Sequence, residues 1–184
     1  DLNCGCPSER VQRGAFGACL MAEPKLVADC VKAMKGAVDI PISVKHRLGL
    51  DSMDASTSKV DYQFALDFIL SVADAGASQV TIHARNAVLK GLSPKENRSK
   101  PPLRYEVAAQ LRLDAQKQFP NLKVLLNGGL ESNEQIAGHW NDFDGFMVGR
   151  AAYHFPAMIL GWDDLIQTNG DAAGYLFSET EWHR

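Results

Sequence analysis

The sequence predicts an α/β protein, the carboxyl-terminal half of a (β/α)8 TIM barrel with parallel strands inside and helices outside. Three observations carry this. Short apolar runs alternate with amphipathic stretches, giving about four βα units, the pattern of right-handed crossovers and a parallel sheet. Polar or charged residues stand just past the carboxyl end of each strand, where barrels build their sites. No Gly-x-Gly-x-x-Gly and no Walker A segment is present, although a doubly wound nucleotide fold is expected to show such a fingerprint. A whole barrel typically needs about 250 residues, and this chain has 184.

Taken in order, the chain opens Asp-Leu-Asn-Cys-Gly-Cys-Pro, as if partway through a strand, and then enters a loop. Glu23-Pro24 starts a helix, with Pro in the first turn where its missing N–H costs nothing. Leu26, Val27, Cys30, Val31 and Met34 fall at helical spacing. Ile40 to Lys45 reads as a buried strand, and the polar stretch from Asp51 to Lys59 as a loop. Tyr62 to Ala75 is a second helix, with Gly76 as its C-cap. Gln79 to His83 is the next strand, followed by a long loop from Ala84 to Pro102. Helix Tyr105 to Gln118 precedes strand Lys123 to Leu126. Ser132 caps a short helix running to about His139. Gly145 to Val148 is the last strand, and Tyr153 to Leu165 is helical. The division expected is a partial-barrel catalytic domain over residues 1–160 and a polar tail over 161–184.

Composition narrows the function. Apolar residues make up 46% and charged residues 22%, enough to bury a core, which excludes a disordered chain. No apolar run approaches the roughly 20 residues of a membrane-spanning helix. The net charge of −3 argues against a generally polycationic nucleic-acid binder but allows a local basic patch. The cysteines are Cys4, Cys6, Cys19 and Cys30. A chain of this length needs no disulfide staples, so free thiols in a cytosol-like compartment are expected. One Cys-x-Cys pair without a second pair or a nearby His is not a zinc pattern, and no metal site is expected. Without a basic n-region or an apolar h-region, no targeting peptide is visible.

Four groupings carry chemistry. Asn127-Gly128-Gly129 and Gly149-Arg150 follow the last two strands, where barrels often hold a phosphate. Glycines let backbone N–H groups approach phosphate oxygens, and arginine adds charge; tight βα turns and a surface cation are the plainer alternative. Lys45 and His83 end successive strands on one barrel face, where a cation would stabilise an anionic ring or phosphate; satisfied structural groups are the plainer alternative. Arg47 shares that face. Cys6 lies directly after the first strand and is a nucleophile, a proton donor or a packing residue; Lys45, Arg47 and His83 give it the electropositive setting of reactive thiols. Cys4 is its alternative, and Cys19 and Cys30 are expected to pack, Cys30 on a helix's apolar face. Lastly, Lys90, Lys95, Arg98, Lys100 and Arg104 face only Glu96 over one loop. Such a loop meets nucleic-acid phosphates, or is simply a solvated charged loop.

Together these segments resemble the tRNA-dihydrouridine synthase family, and within it the bacterial A-type branch. The resemblance rests on Asp1-Leu2-Asn3-Cys4-Gly5-Cys6-Pro7-Ser8, on Gly14-Ala15-Phe16-Gly17-Ala18-Cys19-Leu20-Met21, and on Val44-Lys45-His46-Arg47-Leu48-Gly49. It continues with Ile82-His83-Ala84-Arg85-Asn86-Ala87, Gly91-Leu92-Ser93-Pro94-Lys95-Glu96-Asn97-Arg98, Asn127-Gly128-Gly129 and Val148-Gly149-Arg150. The Gly91 to Arg98 run is the part most specific to that branch.

The resemblance implies an FMN enzyme that uses NADPH to reduce a uridine in the tRNA D-loop, the base being turned out of its stack. It makes Cys6 the general acid. Asn3 orients the base and Arg47 lies near it. Lys45 and His83 sit at the flavin ring, and Asn127, Gly128, Gly129, Gly149 and Arg150 at its phosphate. Lys95 and Arg98 contact tRNA phosphates. It also implies a cytoplasmic or, in a eukaryote, organellar location. Family members start with further βα units and end with a helical domain, so this chain reads as part of a longer protein, and Ser52 to Asp61 is longer than the branch usually has. The rival reading is another FMN barrel reductase acting on a small molecule, which needs no basic loop. An RNA-binding remnant without flavin is a third.

Overall fold

The computed structural model describes residues 1–50 and 58–170, with the side chains of Gln12 and residues 58–61 excepted. Five parallel strands form one sheet in sequential order: β1 (Leu2–Cys4), β2 (Ser43–Arg47), β3 (Gln79–His83), β4 (Lys123–Asn127) and β5 (Gly145–Met147). That order has no reversal. A doubly wound sheet contains a point where the strand order reverses; an arc of a barrel does not.

The helices are α1 (Glu9–Arg13), α2 (Pro24–Ala37), α3 (Ser58–Asp74), α4 (Tyr105–Gln118), α5 (Asn133–Gly138), α6 (Arg150–His154) and α7 (Trp162–Gln167). Pro24 stands in the first turn of α2. The end of α3 closes as a Schellman turn: Gly76 at φ +106° donates to Ala73 O at 2.9 Å, and Ala77 N to Val72 O at 3.0 Å. Ser132 Oγ accepts from Gln135 N at the start of α5.

The register sorts the side chains. Along each strand alternate residues face opposite sides, and the pairing aligns Asn3 with Lys45, Thr81 and Leu125, and Arg47 with His83, Asn127 and Met147. The intervening residues Val44, Val80, Ile82, Val124 and Leu126 are fully buried with Val31 of α2, Phe68 and Ile69 of α3 and Leu111 of α4. Each such side chain contributes roughly 1.5–3 kcal/mol. His46 belongs to this layer, its ring 5.2 Å from that of Phe68. A smaller cluster joins Ile136, Met158 and Leu165 with Trp140 and Trp162.

Several boundaries differ from expectation. The second strand starts at Ser43, not Ile40: Pro41 has no N–H for the ladder, and Ile40 and Pro41 are exposed. The second helix reaches back to Ser58, so Ser58 and Lys59 are helical; the rest of that expected loop, 51–57, lies outside the described residues. The strand after α4 runs on to Asn127, while β5 stops at Met147. The opening loop holds α1 and a 3₁₀ helix at Gly17–Ala22, and the long loop holds a 3₁₀ turn at Glu96–Arg98. Tyr153 to Leu165 is not one helix. Pro156 interrupts it, giving α6, a 3₁₀ helix at Pro156–Gly161 and α7. Cys30 is exposed, as is Leu26; the buried stripe of α2 is Val27, Ala28 and Val31.

The last two βα units are locked by Asp144. Its carboxylate takes both arms of Arg112, at 3.1 and 3.2 Å, together with Gln116 Nε2 at 2.9 Å and Val124 N at 2.8 Å. Asp144→Ala therefore leaves a half-buried guanidinium and a strand N–H without an acceptor. We expect a loss of about 2–3 kcal/mol in urea unfolding at unchanged slope. A shift below about 0.5 kcal/mol, the size of an ordinary surface change, would show the junction to be passive.

Candidate active site

The carboxyl ends of all five strands open onto one cavity of about 360 Å³. Asn3 and Cys6 come from β1 and the turn after it, Lys45 and Arg47 from β2, and His83 from β3. Asn127 to Gly129 follow β4, and Gly149 and Arg150 follow β5. Arg98 reaches the rim from the loop after β3. Of the site residues the sequence singles out, only Lys95 lies off the cavity wall; it is exposed on the neighbouring turn.

The pleat explains the gathering. Asn3, Lys45 and Arg47, His83 and Asn127 all occupy the face opposite the helices. The chain after β1 is held tightly: Asn3 Oδ1 accepts from Gly5 N at 3.0 Å, and Cys6 O accepts from Ala18 N at 2.9 Å. Gly17, at φ +73°, makes that second contact possible, since a Cβ there would stand 2.7 Å from Cys6 O and 2.3 Å from Val11 Cγ1. Cys6 is half-buried at the wall of the cavity. Cys4 is fully buried against the helices, and burial, with Cys30 and Cys19 adding to it, pushes its thiol up to about 12. Cys4 is therefore a packing residue and not the alternative reactive thiol.

Positive charge dominates the wall. Burial, then Arg47, lowers Lys45 to about 8. Burial, then Arg85 and Arg98, lowers Arg47 to about 10. His83 is buried, and burial together with the charges of Arg47, Lys45, Arg85 and Arg150 holds it at about 2, a neutral imidazole. Glu131 is the carboxylate on the cavity wall.

These residues fit an anionic cofactor of the FMN type. The buried His83 Nδ1 has no hydrogen-bond partner within the protein. Gly128, at φ +103°, packs its Cα under that ring, with a Cβ position 3.0 Å from His83 Cε1. Its carbonyl accepts from Tyr105 Oη at 2.6 Å, and Asn127 Nδ2 ties β4 to Met147 O at 2.6 Å. Nothing lies within 4 Å of a Cβ position at Gly149, so the last turn presents bare backbone beside Arg150. Lys45 and His83 would face a ring system, and Gly128–Gly129 with Gly149–Arg150 a phosphate. Among the described residues no group of three His, Cys, Asp or Glu side chains is placed to hold a metal ion. No described helix is long and apolar enough to cross a membrane.

Sequence reasoning missed three residues. Arg85 is buried, donates to Pro101 O and adds to the field on His83. Asn97 is fully buried and bonds to Val88, Leu92 and Ser93. Glu131 lines the cavity. Arg85 and Asn97 stand inside motifs that the resemblance quotes, but only their burial marks them. The basic loop is less basic than its composition: Glu96 holds Lys100 at 2.6 Å, and Arg104 turns inward to Asn86 Oδ1 at 2.9 Å. Lys90, Lys95 and Arg98 remain exposed.

A cationic, glycine-lined cavity at the strand ends of an arc of a (β/α)8 barrel is the arrangement in which barrel enzymes hold phosphates. Comparison with known proteins narrows this. The profile of the dihydrouridine synthase (Dus) family matches residues 1–174, and the chain belongs to that family. It is 54% identical over 159 residues to tRNA-dihydrouridine(20/20a) synthase of Pseudomonas syringae pv. tomato, covering 86% of this chain and 44% of that protein. It is 55% identical over 159 residues to the enzyme of the same name from Xanthomonas campestris pv. campestris, with the same coverage. For the one from Synechocystis sp. the figures are 54% over 156 residues, 85% and 44%. The chain thus spans less than half the length of these relatives. The α subunit of tryptophan synthase from Legionella pneumophila aligns at 13% identity, covering 89% of this chain and 72% of that one, with a TM-score of 0.26, too low to inform the fold.

The neutral His83 has a consequence for pH. Its folded value lies below its ordinary 6.5, so the stability it contributes is present above 6.5 and is lost as pH falls below it. We expect the His83 ring signals in NMR to show no titration from about pH 8 to about pH 5. A midpoint near 6.5 would mean that the ring is solvated and the field around it weak.

Proposed function

We propose that this chain is part of the catalytic barrel of a flavin-dependent tRNA-dihydrouridine synthase, reducing a uridine of the tRNA D-loop. The observation that carries the reading is the convergence of Cys6, Lys45 and His83 on one cavity with two glycine turns, Gly128–Gly129 and Gly149–Arg150. The names of the relatives support the same reaction.

FMN, reduced by NADPH, would supply the hydride that goes to C6 of the uracil. The protein's own work lies around it. Hydride at C6 leaves negative charge on C5 and O4, so a proton must be delivered at C5. Cys6 Sγ gives that proton from the cavity wall. The Asn3 side chain orients the base. Lys45 and Arg47 provide positive potential where the charge develops, which stabilises it in a half-buried site. His83, uncharged, would offer a ring nitrogen to the flavin without adding a further cation to Lys45, Arg47 and Arg150. Gly128, Gly129, Gly149 and Arg150 would hold the cofactor phosphate.

Lys95 and Arg98 hold phosphates of the tRNA at the rim, and residues 1–160 act as the catalytic part. This reading carries a cytoplasmic or organellar location, where tRNA is matured. The basic rim is what favours tRNA over a small-molecule substrate, because a free pyrimidine has no phosphate backbone for the exposed Lys90, Lys95 and Arg98 to meet.

The test is Cys6→Ala in the full-length enzyme. We expect dihydrouridine formation to fall by roughly a hundredfold or more, while NADPH still bleaches the flavin. Normal dihydrouridine formation would remove Cys6 from the role of acid. Equal turnover of free uracil-like compounds by the unaltered enzyme would favour the small-molecule reading.

A further inference from the structure

Arg47 joins two loops that would otherwise meet the substrate independently. It is 3% exposed at the end of β2. In one direction its Nε donates to Gly5 O at 3.1 Å, the carbonyl immediately before Cys6. In the other its Nη1 donates to Asn97 O at 3.0 Å and Asn86 O at 3.3 Å. Its hydrogen bonds therefore end on main-chain carbonyls of the Cys6 turn and of the loop after β3.

Asn97 makes that loop a single body. Its side chain is fully buried, donating to Val88 O at 2.9 Å and accepting from Val88 N at 2.8 Å, with Leu92 O and Ser93 O at 3.3 and 3.4 Å. Its chain neighbour Arg98 lines the cavity, and Lys95 lies on the same turn. A displacement of this turn is passed through a stiff guanidinium to Gly5, while the far side of Cys6 is held by Ala18 N. The planar fork suits this task, because it reaches two carbonyl groups in fixed directions; a lysine head on one flexible stem cannot hold both in that geometry.

We propose that Arg47 is a positioning residue that couples the seating of tRNA phosphate on the Lys95–Arg98 turn to the placement of the Cys6 thiol. This rests on the roles given above to Cys6, Lys95 and Arg98. It assigns Arg47 to the backbone of the site, in place of a direct contact with the base.

The experiment uses full-length enzyme carrying Arg47→Lys or, separately, Asn97→Ala, whose side chain touches neither Cys6 nor the cavity wall. Two readouts are taken: kcat and KM for unmodified tRNA, and the rate of iodoacetamide alkylation at each cysteine, resolved by peptide mass spectrometry. Buried Cys4 serves as the folding control and exposed Cys30 as the reagent control.

We expect kcat to fall roughly tenfold to a hundredfold in both variants, as small displacements of a reacting group do, with KM within about twofold. Cys6 alkylation should change severalfold in the same direction in both, with Cys4 and Cys30 unaltered. A raised KM with kcat preserved would make Arg47 a substrate contact and overturn the proposal. So would Cys6 alkylation that ignores Asn97→Ala. Absence of dihydrouridine with the unaltered enzyme would defeat the functional reading alone, since the alkylation arm reads the coupling without turnover.

Discussion

The pleat of a parallel sheet is the constraint on which everything else depends. Because side chains alternate, one register places Val44, Val80, Ile82, Val124 and Leu126 against the helices. The same register places Asn3, Lys45, His83 and Asn127 on the other face. The apolar layer fixes the register, since a slip of one residue would put Lys45 into the helix-facing core and Val44 into the cavity. Burial of the core therefore positions the chemistry. His46 and Arg47 illustrate this most sharply: adjacent in sequence and both buried, one packs on Phe68 and the other reaches the loops around the cavity.

The second determinant is the way cations are gathered without matching acids. Lys45, Arg47, Arg85 and Arg150 act together on His83, and Glu131 is the carboxylate of the cavity wall. Like charges in a half-buried cavity raise the free energy of the folded chain and are relieved by an anion. A site for phosphate and for an electron-rich ring has this character, whereas a general acid site alone would need only Cys6. The glycines complete it by leaving room. A Cβ at Gly128 would press on His83, and at Gly17 on Cys6, so the absence of a side chain at both positions lets His83 and Cys6 sit where they do.

Much of this was legible in the sequence because it is periodic or punctuated. The order of strands and helices followed from apolar runs, and α4 appears with the expected bounds because Tyr105 to Gln118 is amphipathic throughout and free of Gly and Pro. Most of the cavity residues were legible because they stand at, or just past, the carboxyl end of an apolar strand. What the sequence hid was tertiary. Cys30 sits at helical spacing from Val27 yet faces outward, because the stripe buried by α3 is narrower than the apolar one. Asn97 looks like any polar loop residue, and only its burial reveals it as the anchor of the basic turn. Arg47 ends a strand at the cavity, as its position suggests, but its partners there are the carbonyl groups of Gly5, Asn86 and Asn97, which no pattern of residue types encodes.

The central claim is that the strand-end cavity is where flavin and base meet across Cys6. A crystal structure of the full-length protein with FMN and a uridine-containing tRNA stem-loop tests it most directly. The account predicts the cofactor phosphate at Gly128–Gly129 and Gly149–Arg150, the ring against Lys45 and His83, and the Cys6 sulfur on the opposite face of the pyrimidine, at about van der Waals contact with C5. Flavin bound outside this cavity, or a pyrimidine whose C5 faces a different acid, would contradict it.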